Sequence, residues 1–546
     1  MHGLMMDMPL LISSLIKHAD RFHGETEIVS KRVEGDMHRY TYRAAHARAR
    51  QLAKALARLG MKMHDRVGTL AWNGYRHFEI YYAVAGSGAI IHTINPRLFP
   101  EQIAYIANHA EDKILCFDLT FVPLLEKLAP QLKTVQHYVL MTDRAHLPAK
   151  SAIANLLCYE ELLAAEDDRF EWPTFDERAA ACLCYTSGTT GNPKGSLYAH
   201  RSTILHAYGA ALPDVISLSA RDVVLPVVPM FHVNAWGLPY SCAATGTKLV
   251  FPGQHLDGKS LHELFEAERV NMSAGVPTVW LGLLTYMKEH KLKFSTLKRV
   301  VIGGSACPPA MMHAFLDEYG VQVMHAWGMT EMSPLGSVCT LKEKHAKMDR
   351  EAQFTVLMKQ GRPPYGVDMR IVDSDGKELP HDGKAFGDLH VRGPWIINGY
   401  YKGEGGDPLK KDAHGDGWFP TGDVVTIDPD GYIQITDRSK DVIKSGGEWI
   451  SSIDLENIAV AHPAIAEAAV IGVAHPKWDE RPIVVAVKKA GQDVSKAELL
   501  RFYEGKIAKW WMPEDVVFVA ELPHTATGKL SKITLRQQFK DYRLPS

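Results

Sequence analysis

Ten residues, Thr186-Ser-Gly-Thr-Thr-Gly-Asn-Pro-Lys-Gly195, bring together three glycines, four hydroxyls and a lysine directly after the apolar run Ala181-Cys-Leu-Cys-Tyr185. Such a loop sits where a strand ends. Glycine lets successive backbone N–H groups turn toward one anion, the hydroxyls add donors, and Lys194 supplies positive charge. The combination suits a polyphosphate. A plain Gly/Thr hairpin would explain the glycines but not the density of hydroxyls together with the lysine.

A second segment, Gly253-Gln-His-Leu-Asp-Gly-Lys-Ser260, satisfies the Walker A spacing. Its interior holds Asp257, His255 and Leu256, a carboxylate and two bulky groups where a phosphate cradle wants small residues. It is read instead as the start of a surface helix, with Asp257 near the N-cap. His313 and Asp317 imitate an acyltransferase pair, but they lie on a patterned helix and are expected to form an i,i+4 surface contact.

These segments need a frame to hold them. From Tyr40 to about Val250 helical periodicity, as in Thr41 to Leu59, alternates with short apolar runs such as Val67 to Trp72 and Lys113 to Phe117, the rhythm of α/β units. Strand-like runs follow at Lys298 to Ile302 and Met369 to Val372. The Gly- and Asp-rich stretch from Gly403 to Gly431 predicts mostly turns and short strands. The charged tetrapeptide Asp437-Arg-Ser-Lys440 is the best boundary, leaving about a hundred residues for a small α+β lid. The expected division is therefore 1–436, a hinge at 437–440, and 441–546, with Lys496 to Lys509 as one of the lid's helices.

Bulk composition narrows the partners. At 546 residues the chain is too long for one ordinary core; with 46% hydrophobic and 23% charged residues it has the balance of a globular protein. A formal net charge of -2 offers no basic field for nucleic acid or an anionic membrane. Seven cysteines without a Cys-x-x-Cys pair argue for buried thiols in a reducing compartment, not for a disulfide framework or a zinc site. No apolar run is long enough to span a bilayer. Asp7 inside the first apolar stretch, without a basic start, argues against a signal peptide, and the cytoplasm follows by elimination.

The 186–195 loop resembles the phosphate loop of the acyl-adenylate-forming superfamily, which contains acyl-CoA synthetases, luciferases and peptide-synthetase adenylation domains. His325-Ala-Trp-Gly-Met-Thr-Glu331, Phe419-Pro-Thr-Gly-Asp423, Asp437-Arg-Ser-Lys-Asp-Val-Ile-Lys-Ser-Gly-Gly447 and Thr527-Gly-Lys529 follow in that family's order. The resemblance implies a large multilobed N-terminal adenylation domain with a smaller mobile α+β C-terminal domain. ATP, magnesium and coenzyme A are the implied cofactors, and a small carboxylic acid is the implied partner; a homodimer is left open.

Roles follow by the same resemblance. Thr186, Ser187, Gly188, Thr189, Thr190, Gly191 and Lys194 would hold phosphate. Thr330 and Glu331 would hold a phosphate and, with Thr190, the metal. Gly328 and Met329 belong to the same nucleotide segment, with Trp327 against the adenine. Gly303, Gly304, Ser305 and Ala306 would pack between adenine and acyl group. Asp423 would accept from the ribose hydroxyls, with Arg438 near ribose and phosphate. Lys529 would bridge carboxylate and phosphate during adenylation. Rotation about Lys440 would then exchange it for the Lys444 face, where Gly446 and Gly447 admit the pantetheine arm. His232 would stand near the acyl carboxylate, with Val233 and Trp236 lining the acyl tunnel. Gly275, Pro277 and Trp280 are weaker pocket candidates.

Within the superfamily the whole chain resembles medium- and long-chain fatty-acyl-CoA synthetases, and particularly bacterial 3-methylmercaptopropionate:CoA ligases, which act after dimethylsulfoniopropionate demethylation. The implied substrate is that acid or a short- or medium-chain fatty acid. A long-chain synthetase is the alternative, and a luciferase-like oxygenase a more remote one. The absence of a second cation near His232 favours an apolar acid.

Overall fold

The computed structural model describes residues 1, 3–186, 192–438, 441–445, 448–524 and 530–544. Two large sheets carry the body. In the first, seven strands run in the order Leu156–Cys158, His137–Leu140, Asp112–Phe117, Arg66–Leu70, Ile90–Thr93, Ala180–Tyr185 and Gly195–Ala199. All neighbours are parallel except the last pair. Ile90–Thr93 is buried along its whole length, as expected of a parallel strand covered on both faces.

The second sheet has eight strands in the order Leu335–Val338, Gln322–Gly328, Arg299–Ile302, Met272–Gly275, Val223–Pro226, Lys248–Phe251, Glu27–Lys31 and Met37–Thr41. Helix Tyr75–Gly86, buried at every residue, belongs to the largest apolar cluster, which draws on both sheets. The expected helix after Tyr40 spans Tyr42–Arg58; Thr41 caps it by accepting from the Ala44 N–H at 3.4 Å. Its buried stripe of Ala45, Ala49, Leu52, Ala53 and Leu56 matches the apolar period.

The third sheet corrects an expectation. Gly417–Ile427 is a single eleven-residue strand inside the stretch read as turns. It pairs with Gly387–Arg392, Lys410–Lys411 and Ile433–Arg438, and register shifts near Val424 absorb what glycine and proline would otherwise disrupt. Asp368–Val372 completes the sheet beside Gly387–Arg392.

Residues from Ile443 onward build a separate sheet, with Glu448–Ile450, Ile443–Ser445, Asp479–Lys488 and Ile465–His475 antiparallel and Asp515–Phe518 parallel to Asp479–Lys488. Leu455, Leu499 and Tyr503 pack with one of its faces, and Leu535 with the other. The helix expected over 496–509 stops at Tyr503, because Glu504 leaves helical geometry and Gly505 turns left-handed at φ 75°. No helix among the described residues is long and apolar enough to cross a membrane, and all seven cysteines are buried and free.

The Walker-like segment behaves as expected of a helix start. Asp257 caps helix Gly258–Ala267, accepting from Ser260 N at 3.0 Å and Ser260 Oγ at 2.7 Å, so a carboxylate occupies the place a phosphate would take. The side chains of Lys259 and Glu263 are both 66% exposed. His313 and Asp317 likewise form their surface pair at 2.8 Å.

Buried neutral histidines tie the elements together. His325 Nε2 accepts from Cys307 N at 3.3 Å while Nδ1 faces Met358 O at 3.0 Å, and burial pushes this group down to about 4. His206 Nε2 accepts from Leu335 N at 3.2 Å, and burial pushes it to about 3. A histidine whose folded value lies below its unfolded one contributes stability that is complete above about pH 6.5 and is lost as pH falls through the folded value. Unfolding free energy should therefore fall as pH drops from about 6.5 to about 4. His325→Gln should flatten that slope by at most one proton's worth, about 1.4 kcal/mol per pH unit, read by denaturant titrations across this range.

Candidate active site

The 186–195 loop joins two antiparallel strands, with Tyr185 opposite Gly195 in the ladder. Its base is clasped twice: Thr186 N donates to Lys194 O at 2.9 Å, and Lys194 N to Thr186 Oγ1 at 3.1 Å. No helix follows the loop directly; strand Gly195–Ala199 does. Anion binding here would rest on backbone N–H groups, hydroxyls and Lys194. Ser187, Gly188, Thr189, Thr190 and Gly191 lie outside the described residues, as do Lys440, Gly446, Gly447 and Lys529.

Two tyrosines that sequence reasoning missed bind this loop to the acidic turn Thr330–Met332. Tyr400 lies 4.9 Å beneath Lys194 Nζ, and its hydroxyl donates to Glu331 Oε1 at 2.8 Å. Tyr198, on the strand that leaves the loop, donates to Thr330 O at 2.5 Å. Glu331 is 7% exposed, so its charge needs such partners. Tyr400 sits in Gly399-Tyr-Tyr-Lys402, where only the aromatic pair beside a glycine hints at a role. Burial, with Glu331 beside it, pushes its phenol above the ordinary value.

Trp327 is half of another link. Its indole N–H donates to Asp423 Oδ2 at 2.9 Å, joining strand Gln322–Gly328 of the second sheet to strand Gly417–Ile427 of the third. Thr421 Oγ1 accepts from Asp423 N at 3.1 Å and sets the bend before the carboxylate. Arg438 pairs through its backbone with Asp423. Gly328 is required by contact: a Cβ there would stand 1.9 Å from Pro334 O. Met329 N donates to that same oxygen at 3.2 Å.

Gly303 and Trp236 meet beside this link. Gly303 is buried, whereas Gly304, Ser305 and Ala306 are exposed at the end of strand Arg299–Ile302. A Cβ on Gly303 would lie 2.9 Å from Ala326 O and 3.2 Å from Cη2 of Trp236, so the Trp236 ring closes on this glycine. His232 is half-buried at the entry to a turn over Val233–Trp236 in which the backbone runs left-handed. A left-handed turn costs roughly 1–2 kcal/mol per non-glycine residue, so the surroundings must hold it. Upstream, Asn73 accepts from Met230 N at 2.6 Å and donates to Pro226 O and Val228 O.

Two expected residues stand elsewhere. Trp280 is fully buried against Gly275 and belongs to a packed core, which corrects the pocket reading for both. Lys444 is exposed on the separate C-terminal sheet, where its N–H donates to Glu480 Oε2 at 3.0 Å. Among the described residues the one metal-like cluster, Glu34, Asp143 and His146, is already neutralised, with Arg32 3.1 Å from Asp143 and Arg76 2.7 Å from Glu34.

A buried carboxylate turn is clasped to the base of the 186–195 loop, with the Trp236 ring packed on Gly303 near by, all on an α/β frame. Residues 15–401 match the AMP-binding enzyme family, and residues 454–529 match the AMP-binding enzyme C-terminal domain. A 3-methylmercaptopropionyl-CoA ligase of Ruegeria lacuscaerulensis is 56% identical over 541 residues, 99% of both chains. A medium-chain-fatty-acid–CoA ligase of Ectopseudomonas oleovorans is 50% identical, covering 100% of this chain and 99% of its own. The crystal structure of the anthranilate CoA ligase AuaEII in complex with anthranoyl-AMP aligns with a TM-score of 0.84 at 25% identity, over 98% of both chains. The chain belongs to the AMP-binding enzyme family.

Tyr400→Phe keeps the ring under Lys194 but removes the donor to Glu331. A hydrogen bond to a charged group contributes about 1.5–3 kcal/mol, so kcat/KM for ATP should fall roughly ten- to a hundredfold while the fold survives. AMP release at varied ATP, with thermal unfolding as control, checks this.

Proposed function

We infer that the chain is an AMP-forming carboxylate:CoA ligase that works through an acyl-adenylate. The observation that carries the reading is the convergence of Lys194, Tyr400 and Glu331 on one side and Trp327, Asp423, Gly303 and Trp236 on the other, in a chain so similar throughout to named CoA ligases. In the first step the substrate carboxylate attacks the α-phosphorus of ATP and pyrophosphate leaves. Charge builds on the phosphate oxygens, and fixed donors and cations lower that barrier. The phosphate loop with Lys194 and Thr330 holds the polyphosphate, Asp423 accepts from the ribose, and Trp327 borders the adenine.

Glu331 suits magnesium, a hard cation that favours carboxylate oxygen, and Thr190 is its proposed companion. The described residues around Glu331 do not form a three-ligand cluster. Such an ion keeps several waters and phosphate oxygens in its shell, and it neutralises phosphate charge when bound. Lys529 is the proposed cation between carboxylate and α-phosphate.

In the second step the CoA thiol attacks the acyl carbon and AMP leaves. Residues 437–440 are the proposed hinge, with Arg438 near the phosphate and Lys440 at the pivot. Its support is that the apolar clusters of the C-terminal sheet draw on Ile443 and later residues, whereas those of the body reach no further than Ile435. Rotation would bring Lys444, Gly446 and Gly447 to the site.

The proposed substrate is 3-methylmercaptopropionate or a short- to medium-chain fatty acid. Trp236 standing against Gly303 supports a shallow recess, with His232 near the carboxylate and Val233 behind it. A long-chain acid would require that ring to swing away.

Carboxylates from propionate to palmitate, with 3-methylmercaptopropionate among them, should give AMP and a CoA thioester with a maximum at short to medium length. ADP as product would overturn the reaction class. Lys529→Ala should lose adenylation by about a thousandfold, the scale of removing one transition-state charge partner, yet convert supplied acyl-AMP to thioester. Unimpaired adenylation in that variant would remove Lys529 from the mechanism.

A further inference from the structure

Five consecutive residues take the left-handed region: φ is 43° at Val233, 49° at Asn234, 50° at Ala235, 55° at Trp236 and 77° at Gly237. Only the last is glycine, and Val233 is β-branched, so local preference opposes the turn at nearly every position. Asn234 is the exception among the four, since asparagine tolerates this region. Its side chain is 3% exposed and points into the body. There Oδ1 accepts from two thiols, Cys182 Sγ at 3.0 Å and Cys184 Sγ at 3.2 Å, while Nδ2 faces the Tyr240 hydroxyl at 3.4 Å.

The two thiols belong to strand Ala180–Tyr185, spaced i and i+2 so that both leave the same face, 3.8 Å apart. Thr93 Oγ1 lies 3.3 Å from Cys184 Sγ and steadies it from the neighbouring strand. This is also the strand that runs into Thr186 and the phosphate loop. On the far side of the turn, the His206 ring closes on Gly237, where a Cβ would stand 2.6 Å from it. The turn is thus gripped at two points, Asn234 and Gly237, and the residues between them are Ala235 and Trp236.

We propose that Asn234, held by the thiols of Cys182 and Cys184, is a positioning residue that locks the left-handed turn and so sets the depth of the acyl recess at Trp236. The proposal rests on the ligase reading above. The thiols need no redox or nucleophilic role; as weak donors on a rigid strand they register the acyl recess to the phosphate loop. Asn234→Gly keeps the left-handed freedom but loses the grip. Cys182→Ala with Cys184→Ala removes the donors, and Cys182→Ser with Cys184→Ser restores them as hydroxyls.

Steady-state kinetics with the carboxylate series tests this. Asn234→Gly and the alanine pair should raise KM for the preferred acid about tenfold and broaden the chain-length profile, with KM for ATP within about twofold. The serine pair should return close to wild type. In a Trp236→Ala background, Asn234→Gly should add nothing, because the residue acts through that ring. Equal shifts in both KM values, serine no better than alanine, or an unchanged profile would overturn the proposal. If the alanine pair fails to fold, Asn234→Gly and Cys184→Ala alone decide by the same split. A wild type that forms no AMP overturns the ligase reading and this proposal with it; a competent wild type with unaltered variants overturns only the proposal.

Discussion

Asp423 is a carboxylate with 2% of its surface exposed, and a charge so far from water is tolerable only where donors meet it. The indole N–H of Trp327 is one, and it reaches across from another sheet. That bond is one of the ties that dock the third sheet on the second, alongside Tyr432 Oη donating to Thr340 O at 2.7 Å and the apolar cluster the two sheets share. It also explains why a tryptophan stands in the His325-Ala-Trp-Gly segment: the ring supplies apolar packing against Gly336 while its one polar atom is used at the seam. Trp327 and the proposed ribose acceptor Asp423 are thus parts of one joint.

The same logic of paired polar groups extends outward. Glu331 is buried beside Tyr400, Tyr400 carries Lys194 on its face, and Thr186 clasps the backbone of Lys194. An apolar residue in place of Tyr400 would remove one donor from the buried Glu331 carboxylate, a loss costlier than the net gain of an ordinary hydrogen bond. The Lys194, Tyr400 and Glu331 side of the candidate site is thus held by contacts between rigid elements. At Val233–Gly237 a strained turn is held by its neighbours, a common way to present a side chain where regular structure would not.

How much of this was legible depended on whether the signal was local. The capped helix Tyr42–Arg58, the false Walker segment and the surface pair His313–Asp317 were readable because each is decided by residues within one or two turns. Strand Gly417–Ile427 was not, since Gly417, Pro420, Gly422 and Asp423 carry turn chemistry and only cross-strand pairing overrides it. Trp280 read as a pocket residue because a tryptophan after Gly-Val-Pro has no local mark of the core that surrounds it. Tyr400, Tyr198 and Asn234 were missed for one reason: each acts on a partner between 50 and 206 positions away in the chain.

The apolar clusters of the body reach Ile435 and those of the C-terminal sheet begin at Ile443, which bears on the hinge proposed above. Ser451 Oγ donates to Thr436 O at 2.5 Å and Ser452 N to Asp437 Oδ2 at 2.7 Å, so the C-terminal sheet is tied to the body by polar contacts beside the junction. Both bonds are buried, so parting them requires water to reach the freed groups, whereas a shared apolar core would itself have to be exposed to solvent. Within the C-terminal unit the opposite holds. Arg481 binds Ser445 Oγ, Trp510 O, Met512 O and Glu514 at 2.7–3.1 Å, fastening the strand of Lys444 to the 510–514 segment. The C-terminal sheet is thus stiffened internally by a buried guanidinium and meets the body through polar contacts beside the proposed hinge at 437–440.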